Sequence, residues 1–106
     1  MSENRKLRLE AVLTEQFAPI HLQVVNESHM HSVPVHAETH FKIVMVSDAF
    51  HALSRVQRHK LVYKALASEL AQGLHAASLH TLTSQEWQNA SIPDSPLCAR
   101  AVKTHE

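Results

Sequence analysis

The chain has 106 residues, 44% apolar and 19% charged, which fits one globular domain and excludes a disordered chain. Ten Lys and Arg balance ten Asp and Glu, so broad electrostatic binding of nucleic acid is disfavoured while a local basic patch is not. The single glycine, Gly73, excludes glycine-rich phosphate loops and a G-x-x-G clamp, and the single cysteine, Cys98, excludes an internal disulfide and points to a reducing compartment.

Residues 1–6 carry charge with no apolar run behind them, so neither a secretory signal nor a membrane span is expected, and the cytoplasm is the expected location. Over residues 3–17, Leu9, Val12, Leu13 and Phe17 recur at three- and four-residue spacing, the pattern of an amphipathic helix. Pro19 stands beyond its end. Residues 20–26 alternate, with Ile20, Leu22 and Val24 on one side, and predict a half-buried strand. Residues 27–38 contain Pro34 and lack a period, so they read as a loop. Residues 39–47 are apolar and rich in β-branched side chains and predict a second strand, paired antiparallel with the first.

After a short turn at 49–53, a long helix is expected over 54–72. Ser54 and Gln57 have the spacing of a capping box, and Val62, Tyr63, Leu66 and Leu70 are its expected buried stripe. Gly73 supplies a left-handed residue to end it. Residues 74–82 predict a third strand with weak alternation. Thr83 and Glu86 form a second capping box that opens a short helix carrying Trp87. The fold class is therefore α+β, in the order α-β-β-α-β-α, with helices on one face of a three-stranded sheet. The domain is expected over 1–89, and 90–106, with Pro93 and Pro96, as a flexible C-terminal tail.

Little in the chain supports enzymatic catalysis. Cys98 stands in the expected tail without a positioned base, no serine lies in a G-x-S-x-G elbow, and Asp48 and Asp94 are the only aspartates. Histidine is the opposite case: ten occur, four of them at His29, His31, His36 and His40. Neutral imidazole suits zinc, copper and iron, but a closed structural site usually adds paired cysteines, so one such chain makes a partial site. The ordinary reading is that most histidines are solvated, and that His59, beside the stripe of the long helix, anchors the helix start. The helix start is also basic, with Arg55, Arg58, Lys60 and Lys64. Lys60 and Lys64 lie about 140° or more around the helix from Arg55, so these groups form no single stripe. A solvated flank is the ordinary reading of them; a contact with an anion or nucleic acid is the sharper one.

Three segments read together resemble the BolA family. They are Val25-Asn26-Glu27-Ser28 with His31-Ser32-Val33-Pro34 and Glu38-Thr39-His40-Phe41-Lys42; Val46-Ser47-Asp48-Ala49-Phe50 running into Gln57-Arg58-His59-Lys60-Leu61-Val62-Tyr63; and Leu74-His75-Ala76 with Leu79-His80-Thr81-Leu82-Thr83 and Glu86-Trp87. The tail segment Ser95-Pro96-Leu97-Cys98 also looks like tails of bacterial members. Many members have glycine before the second strand and after the Phe of the V-S-x-x-F segment, where this chain has His36-Ala37 and His51-Ala52.

The resemblance implies a fold similar to class II KH domains without the G-x-x-G loop. It implies a non-enzymatic adaptor that binds a monothiol glutaredoxin, with glutathione, through a shared [2Fe-2S] cluster in iron–sulfur and iron homeostasis. It also implies binding of promoter DNA, as in bacterial regulators of morphology and stress-response genes. The partner would supply thiolates and this chain imidazoles, as histidines do on one iron of Rieske centres. By the family motif the metal ligands are His31 and His75, with His29, His36 and His40 as runners-up. Arg55, Arg58, Lys60 and Lys64 would contact phosphates. No cofactor is expected in the isolated chain and no membrane partner; a weak homodimer is left open. The alternatives are a DNA-binding regulator without an obligatory cluster, and a plain histidine-rich domain for zinc or nickel.

Overall fold

The computed structural model describes residues 4–30 and 37–89. The first helix, α1 (Asn4–Phe17), buries Leu9, Leu13 and Phe17 at four-residue spacing, so one stripe faces inward. Ala18, with φ 45°, turns the chain ahead of Pro19. Strand β1 (His21–Asn26) pairs antiparallel with β2 (His40–Val46), from His21 opposite Val46 to Asn26 opposite Phe41. β2 pairs in parallel with β3 (Ala76–Leu82), from His40 opposite Ala76 to Val46 opposite Leu82. β2 is therefore central, which is why 39–47 reads as a continuous apolar run. Its Phe41, Ile43 and Met45 join the core with α1, while Val44 and Val46 are buried on the other face.

A parallel pair requires a crossover. It is made by α2 (Arg55–Ala65) and α3 (Ala67–Ala71). The single helix expected over 54–72 is thus two, meeting at Leu66. There the Leu66 N–H is shared between the Val62 and Tyr63 carbonyls, at 3.0 and 3.1 Å, the tightened geometry of a helix end. The Ser54 capping box is formed: Ser54 Oγ accepts from the Gln57 N–H at 3.1 Å and Gln57 Oε1 from the Ser54 N–H at 2.8 Å. Gly73 has φ +125°, positive as expected but beyond the left-handed helical well. The Leu74 N–H reaches back to the Glu69 carbonyl at 2.9 Å and closes the helix end.

Val62 and Leu66 are fully buried, but Tyr63 is exposed and does not belong to the stripe. Its hydroxyl donates to the Ala77 carbonyl at 2.6 Å. Arg58 likewise donates to the Thr81 carbonyl at 3.0 Å. Two carbonyls of the edge strand β3 are thereby closed by side chains of α2, which blunts that edge against pairing with another chain. Helix α4 (Ser84–Asn89) starts at the second capping box: Thr83 Oγ1 accepts from the Glu86 N–H and Glu86 Oε1 from the Thr83 N–H. Its Trp87 stacks on His21, ring centroids 4.9 Å apart. His21 alternates with the core-facing Leu22, so this contact lies on the face turned away from the core. The expected tail, 90–106, lies outside the described residues.

Candidate functional site

The leading ends of β2 and β3 lie side by side, and a polar network fixes them there. Asn26, the last residue of β1, accepts from the Ser28 N–H at 2.9 Å and donates to the Ala37 carbonyl at 3.1 Å. This Asx-type bond places Ser28, only 2% exposed, under the entry to β2. Ser28 Oγ accepts from the N–H groups of Thr39 and His40, both at 3.0 Å. The Thr39 carbonyl accepts from the N–H groups of His75 and Ala76, at 2.8 and 3.0 Å. The Thr39 hydroxyl is 2.8 Å from His40 Nδ1.

The result is an imidazole pair. The rings of His40 and His75 meet edge to face with centroids 5.7 Å apart, His40 half-buried and His75 exposed. Of the five histidines singled out as metal ligands, these two are brought together. His29 is exposed in the 3₁₀ turn Ser28–Met30. His31 and His36 lie outside the described residues. Among the described residues no group of three or more His, Cys, Asp or Glu is placed to hold a metal ion. Among the described residues the donor set is two borderline nitrogen ligands without a thiolate, which suits a zinc or iron centre completed by further ligands.

The basic residues divide differently from the expectation. Arg55, Lys60 and Lys64 are exposed on α2. Arg58 is not available as a surface phosphate contact. It is 9% exposed, lies 5.8 Å from the centroid of the Phe50 ring, and donates to the Leu53 and Thr81 carbonyls. Its two terminal nitrogens also hold both oxygens of Glu86, at 2.7 and 3.0 Å. That bond holds the Glu86 carboxyl below the usual carboxylate range, against the opposing effect of burial. Periodicity cannot separate Arg58 from its exposed neighbours; the Glu86 of the second capping box is the only sign in the chain of a waiting partner. His59 is half-buried, and burial, then Arg55 and Arg58, lower its affinity for a proton. Burial first and Lys42 second do the same to His80. Ser28 and Thr39, which build the site, stand in the segments that resemble the BolA family, but they carry no metal-ligand chemistry that would mark this role.

Most of the chain has known relatives. The family description "BolA-like protein" fits residues 13–86. A protein of Vibrio cholerae named DNA-binding transcriptional regulator BolA is 49% identical over 92 residues, covering 85% of this chain and 87% of that one. The protein of the same name from Escherichia coli is 43% identical over 96 residues, covering 89% and 91%. The solution structure of BolA1 from Mus musculus superposes with a TM-score of 0.78 at 38% identity, covering 90% of this chain and 78% of that one. No helix among the described residues is long and apolar enough to cross a membrane. With the family description over residues 13–86, this superposition and this level of identity over most of its length, the chain belongs to the BolA family.

Proposed function

We propose that this BolA-family protein acts as an adaptor and regulator that contributes imidazole ligands to a [2Fe-2S] cluster shared with a monothiol glutaredoxin and glutathione. The observation that carries this reading is the His40 and His75 pair, held by backbone bonds at the end of a parallel strand pair. Two imidazoles with no thiolate beside them among the described residues are what a partner supplying thiolates would complete, and Rieske centres set the precedent for imidazole on one iron. His75 is the common ligand. The second is His31, by the family motif, or His40, by contact with His75.

Reconstitution of the chain with a monothiol glutaredoxin, glutathione, iron and sulfide tests it through visible absorption and circular dichroism. A coloured heterodimer is expected. It should be lost in His75→Ala, and whichever of His31→Ala and His40→Ala alters the spectrum identifies the second ligand. A colourless mixture, or a normal spectrum from the His31→Ala/His75→Ala and His40→Ala/His75→Ala double variants, refutes the reading. Stoichiometric zinc in the isolated chain would favour a plain histidine metal site instead.

A second reading, binding of promoter DNA, is favoured by the name borne by the Vibrio cholerae and Escherichia coli relatives and by the exposed Arg55, Lys60 and Lys64. Each phosphate contact should contribute roughly −0.9 to the slope of log affinity against log salt. Fluorescence anisotropy with duplex DNA should show a slope that falls toward zero in the triple alanine variant of these residues. A wild-type slope near zero removes this reading.

A further inference from the structure

Arg5 extends the buried stripe of α1 one turn before Leu9, so the packing of α1 on the core fixes where its side chain starts. It is only 8% exposed, and a charge so buried has to find partners. Those partners lie behind the histidine pair. Nη1 donates to the Glu38 carbonyl, and Nη2 to the Gln72 carbonyl at 3.0 Å. Nε donates to Glu69 Oε1 at 2.8 Å, and Arg8 shares that carboxylate. Glu38 stands just before Thr39 and His40, and Gln72 just ahead of Gly73, Leu74 and His75. Gly73 lies against the guanidinium: a Cβ there would come within 3.3 Å of Nη2. The single glycine of the chain thus leaves room for Arg5 as well as taking the positive φ.

The entries to β2 and β3 are therefore tied in two places. The Thr39 carbonyl joins them directly, through the His75 and Ala76 N–H groups, and the Arg5 fork joins the stretches behind them. A guanidinium has its donors in a fixed plane, so carbonyls on its two terminal nitrogens are held at a set separation, whereas an ammonium is a single point. We propose that Arg5 is a positioning residue for the histidine site: its fork sets the spacing of the two segments that bring His40 and His75 together. His31, the other candidate for the second ligand, also joins β2 through Glu38, so the clamp serves either choice. In its effect on a metal the proposal rests on the shared-cluster reading; in its effect on the spacing of the pair it does not.

The test separates the clamp from the ion pair. Arg5→Met keeps the stem and removes the fork, Arg5→Lys keeps the charge toward Glu69, and Glu69→Gln leaves both carbonyl bonds in place while removing the ion pair. In the first arm, the nuclear Overhauser contact between the ring protons of His40 and His75 is recorded on the full chain without metal. It is expected in wild type and Glu69→Gln, weakened in Arg5→Lys and lost in Arg5→Met. Where the methionine variant does not fold, the lysine variant decides. A wild-type contact in Arg5→Lys, its absence from wild type, or equal weakening in Glu69→Gln overturns the proposal. In the second arm the heterodimer with a monothiol glutaredoxin is challenged with an iron chelator. Cluster loss is expected to be about tenfold faster for Arg5→Lys, the low end of what losing an outer-shell partner costs, with Glu69→Gln close to wild type. Equal loss rates overturn the role toward a metal. A wild-type mixture that forms no cluster strikes the shared-cluster reading, and the clamp then stands or falls by the first arm.

Discussion

Replacing Ala52 by glycine should stabilise this protein. With one glycine in the chain, positions that need positive φ fall to other residues, and Ala52 takes φ 66° between the turn Asp48–Phe50 and the Ser54 cap. An L-residue in the left-handed region costs roughly 1–2 kcal/mol. Glycine removes that cost but adds about 0.4–1 kcal/mol of unfolded-state entropy. Ala52 is exposed, so no packing is lost. The net gain is about 0.5–1 kcal/mol, a rise in Tm of a few degrees for a domain of this size. Urea denaturation should show a higher midpoint with unchanged slope. A midpoint equal to or below that of wild type would refute the assignment of strain to this residue.

Arg58→Ala should destabilise the fold by about 2–4 kcal/mol, because the Thr81 and Leu53 carbonyls lose their donor; the half-exposed Glu86 adds little. Thermal denaturation measures this, and any loss of DNA binding in that variant would follow from the unfolding. Acid should loosen the contact between α1 and α3: the Arg8 hydrogen bond, opposed by burial and assisted by Arg5, holds the Glu69 carboxyl below the usual carboxylate range. A depressed folded value means the stabilisation is present above the unfolded value and lost as pH falls through the folded one. Stability should therefore decline below the usual carboxylate range, and Glu69→Gln, weaker at neutral pH, should flatten that decline in denaturation midpoints taken across pH.

Much of the fold was legible because its signals are local. Leu9, Leu13 and Phe17 sit at helical spacing, and the Ser54 and Thr83 capping boxes mark helix starts within four residues. What escaped depends on long-range pairing. Tyr63 lies at a plausible stripe position, yet its hydroxyl has a partner fourteen residues away on β3, which holds it at the surface. Arg58 looks like its exposed neighbours until Glu86 arrives from twenty-eight residues downstream. The candidate site divides in the same way. The histidine types suggested metal chemistry, but the meeting of His40 with His75 depends on the parallel register that sets His40 opposite Ala76. Ser28 and Thr39 contribute only position, which residue chemistry does not announce.

The same long-range contacts decide how the two functional readings can be separated. Arg58 is tied to Thr81 and Tyr63 to Ala77, so α2 runs alongside β3 in the opposite direction, with its end approaching the histidine edge. Ala77 and Thr81 are four residues apart, on the order of 13 Å along a strand. Arg55, before Arg58, lies beyond the far end of that span, whereas Lys64 adjoins Tyr63 near the histidines. Of the bases on α2, a partner seated on the His40 and His75 pair would meet Lys64 before Arg55. Lys64→Ala is therefore a poor probe of DNA contact alone, since it also alters the ground on which a cluster partner would sit. Arg55→Ala is the cleaner one: an effect on DNA binding with an unaltered cluster spectrum would assign DNA to the start of α2 and leave the strand ends to the metal.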